Sequence, residues 1–139
     1  MKKILAIMFA LTIVFGVIGC SNSKEITKDE IADKVYVYEG EGAGSEFYIM
    51  LRSDGTFQYY EGMLSSYIGM GTWEIDEDNI ICMNDNMTHK IDGTEFVRTN
   101  YFLSIGNELT WIADGSDNFL YVKVEDGEKF FVQQFTISE

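Results

Sequence analysis

The chain has 139 residues, a formal net charge of −13 and a sequence pI near 4.3, with two cysteines, one histidine and no proline. That length fits one domain, and 46% hydrophobic with 14% aromatic residues is too apolar for a disordered chain. The acidity excludes a nucleic-acid partner, two cysteines exclude a disulfide-dense scaffold, and one histidine excludes a polyhistidine metal site.

Met1-Lys2-Lys3 is a short basic start, and residues 4–19 carry no charge. As a helix that run rises about 24 Å, short of the roughly 30 Å hydrocarbon core. A signal peptide is therefore expected rather than a permanent span. The run ends in Val17-Ile18-Gly19-Cys20, which resembles a bacterial lipobox: two aliphatic residues, a small residue, then cysteine. The resemblance implies cleavage between Gly19 and Cys20 and a diacylglyceryl group on the Cys20 thiol. The chain is then extracytoplasmic and held to the bacterial cell membrane by at least two acyl chains, enough for stable anchoring. An uncleaved anchor helix or a secreted form would also leave the remainder outside the cytoplasm. Removal of residues 1–19 takes Lys2 and Lys3 with it and leaves 120 residues at a net charge near −15. Anionic head groups repel such a body, so membrane attachment rests on the lipid.

Residues 20–26 read as a short, proline-free lipidated tether, and residues 27–139 as a single domain. Thr27 and Glu30 match a capping box, predicting a short helix to about Lys34 anchored by Ile31. Beyond it no helical period persists. Short β-branched and aromatic runs alternate with turn residues instead. Val35–Tyr38 is the first predicted strand, and Phe47–Leu51 alternates apolar and polar. Ser53-Asp54-Gly55 reads as a hairpin turn into Thr56–Tyr60. Thr72–Ile75 turns through Asp76–Asn79 into Ile80–Met83. Glu95–Ser104 turns at Gly106-Asn107 into Leu109–Ile112. Phe119–Val124 is expected to be a strand with Leu120, Val122 and Val124 on one face, and Phe130–Ile137 closes the chain. Nine hairpin-linked strands imply antiparallel pairing and closure. The expected fold is all-β: an up-and-down barrel of about 8–10 strands with a short N-terminal helix.

Ser53-Asp54-Gly55-Thr56-Phe57-Gln58-Tyr59-Tyr60 followed by Gly69-Met70-Gly71-Thr72-Trp73-Glu74-Ile75 resembles the lipocalin-like barrels of small bacterial lipoproteins. The pattern is an Asp-Gly-Thr-Phe hairpin, then Gly-Thr-Trp on a strand, then an acidic turn and an aliphatic strand. In outline the resemblance runs from Val35 to about Phe131. It implies a fold and a compartment rather than an activity.

Glu61–Gly71 is long and apolar for a connection between strands. Either it plugs one barrel end or it forms a lid over an open mouth. With Tyr59, Trp73 and Trp111, its residues Met63, Tyr67 and Met70 are the candidate lining of a pocket for a small apolar ligand. Other segments read as structure. Gly40–Gly44 lacks the following helix that phosphate binding needs. Asp114–Asn118 lacks the glycine that a calcium loop requires at its sixth place, which here is Phe119. His89 is expected to be a solvated loop or edge residue, and Cys82 a core residue behaving as a small hydrophobe. No nucleophile elbow, catalytic pair, cofactor loop or metal cluster is evident, so no enzyme is expected. Two functions follow: an apolar-ligand barrel, or an acidic module that binds a cationic protein or peptide with no internal ligand.

Overall fold

A computed structural model describes residues 24–40, 47–62 and 67–133. The predicted lipidation and cleavage residues Gly19 and Cys20, the lid residue Met63 and most of the Gly40–Gly44 loop lie outside the described residues. The elements are α1 (Lys28–Ile31), β1 (Lys34–Tyr38), β2 (Phe47–Leu51), β3 (Thr56–Glu61), β4 (Ile68–Ile75), β5 (Ile80–Ile91), β6 (Thr94–Ile105), β7 (Glu108–Ile112) and β8 (Lys129–Val132). Each strand pairs antiparallel with its sequence neighbour, and β8 returns to β1. The result is a closed eight-stranded up-and-down barrel, the architecture expected of a lipocalin-like barrel.

Alternation builds the wall. Tyr36 and Tyr38, Phe47, Ile49 and Leu51, and Phe57 and Tyr59 are buried, while the residues between them are half-buried. Successive side chains of a strand point to opposite faces, so one face of each strand fills the barrel. Two glycines make room for that filling. A Cβ on Gly69 would lie 2.1 Å from the Tyr59 ring, and one on Gly71 would lie 1.9 Å from the Asn84 carbonyl oxygen. The rings of Tyr59 and Phe57 therefore lie against bare backbone of β4.

Four expectations change. The helix ends at Ile31 instead of Lys34, because Asp33 turns the chain left-handed (φ 57°) and its N–H donates to the Leu51 carbonyl at 2.7 Å. The segment after Glu61 is shorter than expected, since β4 begins at Ile68. β5 and β6 are each 12 residues long and meet at Asp92-Gly93, so β5 runs well past the predicted end at Met83, and His89 takes the strand alternative of its two expected settings. Phe119–Val124 is not a strand, and the predicted face holds only in part: Val122 and Val124 are buried together, but Leu120 is exposed and Phe119 is buried. These residues belong to an irregular strap, residues 113–128, between β7 and β8.

The base of the barrel is closed by α1. Ile31 is fully buried, and the Tyr36 hydroxyl donates to its carbonyl at 3.0 Å. The Glu30 carboxylate accepts the Thr27 N–H at 3.1 Å, as the capping pattern predicts. Trp73 sits at this same end. Its indole N–H donates to the Arg52 carbonyl at 2.9 Å, and the Lys28 ammonium lies 5.0 Å from its ring centroid.

Candidate functional site

The opposite, upper end holds the unusual chemistry. The end of β3, the start of β4, the β5–β6 hairpin and the strap all meet there. Among the described residues, the acidic and basic side chains that are almost fully buried on inward positions are Glu61, Asp85 and Arg98. Burying a charge is costly unless it is paired or hydrogen-bonded, and each has partners. The Glu61 carboxylate accepts the backbone N–H groups of Leu120, Tyr121 and Val122 at 3.0, 2.6 and 3.0 Å. Those are the donors a strand would have given to a sheet ladder, which explains why Phe119–Val124 joins no sheet. Asp85 accepts the Tyr67 hydroxyl at 2.9 Å and the Met87 N–H at 2.8 Å. Arg98 donates through Nη1 to the Tyr59 hydroxyl at 2.9 Å.

The strap is fastened at further points. The Asp117 N–H donates to the Thr99 carbonyl, and the Asp117 carboxylate accepts the Thr99 N–H, both at 2.8 Å. The Ser116 hydroxyl accepts the Tyr101 N–H at 2.9 Å. At the far end, the Tyr38 hydroxyl donates to the Glu128 carboxylate at 2.6 Å. So fastened, the strap inserts Phe119 into the mouth. Its ring lies 4.8 Å from that of Phe47, 5.3 Å from Tyr59, 6.2 Å from Trp111 and 6.5 Å from Phe130. Below it Phe47 and Phe130 pack edge-to-face at 5.0 Å, and Phe102 and Phe130 at 5.6 Å. Such contacts add to the area they bury. Clefts of about 540, 550 and 470 Å³ lie at the base and on the outer wall, none lined by these rings.

The predicted ligand residues are only partly brought together. Tyr59, Tyr67 and Trp111 share the upper end: Tyr59 and Tyr67 are 6.2 Å apart, and Phe119 bridges Tyr59 to Trp111. Trp73 is buried at the base, on the far side of the core. Met70 is 46% exposed and faces outward, because it alternates with the inward Gly69 and Gly71. Neither lines the mouth. Burial raises the pKa values of Tyr59 and Tyr67, and hydrogen bonding to Asp85 raises that of Tyr67 further.

Cys82 is a correction too. It is only half-buried, since Ile81 and Met83 take the inward positions and leave it on the outer wall. The Asn84 amide approaches its sulfur at 3.4 Å, and burial raises its pKa. Asp114–Asn118 forms a turn with Gly115 at φ 79°, and its Asp117 is committed to Thr99. Among the described residues no group of three or more His, Cys, Asp or Glu side chains is arranged to hold a metal ion.

Sequence reasoning missed Glu61, Asp85 and Arg98, although a signal was present. Glu61 is in phase with Phe57 and Tyr59, Asp85 with Ile81 and Met83, and Arg98 with Asn100 and Phe102. A charge on the apolar phase of a strand must be buried or must break the strand. No family model matches the chain, and no curated protein or solved structure matches it either.

Proposed function

We propose that the chain is an extracytoplasmic lipoprotein of a bacterial cell membrane, anchored through Cys20, whose barrel is an acidic module for a cationic protein or peptide. The address rests on the basic start, the uncharged run and the lipobox-like Val17-Ile18-Gly19-Cys20. One observation carries the binding mode. The inward face is occupied by the barrel's own rings, from Phe130 up to Phe119, with α1 across one end and the strap across the other. The outer surface is then the working surface. The full chain carries 23 acidic residues against 10 basic ones, and with Glu61, Asp85 and Arg98 buried the outer surface stays strongly acidic and steers cationic partners toward it. Titration of the full chain with a short oligolysine peptide, at low and high salt, tests this. Binding that weakens steeply with salt is the expected result. No binding, or binding indifferent to salt, counts against it.

A second reading keeps a small apolar ligand in the mouth. It is favoured by two buried donors there, Arg98 Nε and Trp111 Nε1, that have no acceptor. The acceptor atoms of a ligand would meet them if the strap moved aside. Tryptophan fluorescence with a panel of fatty acids and dyes tests it: a saturable change supports the ligand, and a flat response removes it.

A further inference from the structure

The β5–β6 hairpin outgrows the barrel. β4 pairs with β5 only over Ile81–Asp85, and β7 pairs with β6 only over Tyr101–Ile105. Beyond these limits the two strands run on together, through Thr88↔Val97 to Ile91↔Thr94, with no third strand on either side among the described residues. A bulge between Asn84 and Thr88 marks the departure. Met87 and Val97 on this arm are 48% and 49% exposed.

The geometry of one edge is fixed by the strap. Thr99 gives both its N–H and its carbonyl to Asp117, at 2.8 Å each, so Thr99 directs its backbone groups away from β5. Backbone direction alternates with period two along an antiparallel strand. Val97 and Glu95 therefore direct their N–H and carbonyl groups the same way, past the end of the strap and past the end of β7. Among the described residues Asp117 is thus the last partner on this edge, which continues for two more such residues. An open edge is a template for another strand.

We propose that this edge, at Glu95 and Val97, accepts an extended segment of a cationic partner by strand addition. The inference rests on the acidic-module reading and names its site. Charge decides the occupant. Asp92 and Glu95 are exposed at the arm and outnumber its one Lys90, whose backbone pairs with Glu95 across the hairpin, and Asp114 is exposed on the strap next to Gly115, which approaches the Tyr101 ring. A second copy would bring the same acidic arm, on a chain whose net charge is −13 in full and near −15 without residues 1–19, whereas a Lys- or Arg-bearing segment is drawn in. Main-chain hydrogen bonds then supply affinity, and alternate side chains of the segment meet exposed Val97 on the outer face.

An amide map of the isotopically labelled full chain tests the proposal, titrated with a synthetic peptide of alternating lysine and valine. The expected result is saturable shifts at Glu95 and Val97, with their amide exchange slowed roughly tenfold or more. The same peptide N-methylated along one edge should lose the effect, since it cannot donate. Asp92→Asn with Glu95→Gln should weaken binding roughly threefold or more. Shifts confined to other amides would overturn the edge site and leave the acidic module standing. No shift anywhere would remove both. Protection of Glu95 and Val97 that depends on protein concentration without peptide would make a second copy the occupant and overturn the proposal.

Discussion

Gly71 shows how tightly single positions are specified. Its missing Cβ would overlap the Asn84 carbonyl oxygen and approach the Phe57 ring at 2.8 Å. Backbone cannot swing aside as a side chain can, so Gly71→Ala must part β4 from β5. A loss of about 2–3 kcal/mol is expected by denaturant titration, in the range of overpacked cores. An unchanged midpoint would show that the two strands yield. Cys82 is the opposite case, a residue whose neighbours concealed its side of the wall. In Ile80-Ile81-Cys82-Met83 every residue is apolar, so the sequence offers no parity, and the outward position follows only from the pairing Cys82↔Tyr101. Burial raises its pKa, and the thiolate is the reactive form. Alkylation of Cys82 near neutral pH should be roughly tenfold slower or more than that of free cysteine. A rate equal to free cysteine would contradict its half-buried setting.

At the scale of elements, the strap depends on one carboxylate. Glu61→Ala leaves three strap N–H groups without their acceptor, and the expected cost is about 3 kcal/mol. Amide exchange should accelerate at residues 120, 121 and 122 before it does in the barrel wall. Equal exchange in both chains would mean that Phe119 and the fastenings at Ser116, Asp117 and Glu128 hold the strap without Glu61. The hairpins were legible because turn chemistry and period-two alternation agree there: Asp54-Gly55 between Phe47–Leu51 and Thr56–Tyr60 lies within a residue of the observed strands. The strap was not legible for the same reason. Phe119–Val124 has a strand's composition, but its N–H groups are taken by a side chain 59 to 61 residues earlier in the chain. Of the upper-end site, Tyr59, Tyr67 and Trp111 could be read from their aromatic character. The buried charges needed the in-phase test on each strand.

For the whole molecule, closure was foreseeable by counting short hairpin-linked strands, whereas the filling of the interior was not. That depends on Phe119 arriving from outside the sheet. The dense aromatic core has a consequence in alkaline solution. Burial raises the pKa values of Tyr36, Tyr59 and Tyr67, and pushes that of Tyr38 up to about 12. An unfolded tyrosine ionises near pH 10, so the unfolded chain releases these protons first. Stability is then whole below about pH 10 and falls as pH rises from about 10 to about 12. Melting temperatures measured across that window should drop, and a flat profile would contradict the burial of these hydroxyls.

A barrel filled by its own side chains has no room for an internal ligand, and the proposed acidic module depends on that filling. The most direct measurement is a methyl spectrum of Ile49, Leu51, Ile81 and Leu109, all fully buried, recorded as the neutral apolar dye phenylnaphthylamine is added. These inward methyl signals are expected to stay unmoved at saturating dye. Saturable shifts among them would place a ligand inside the barrel and contradict that filling.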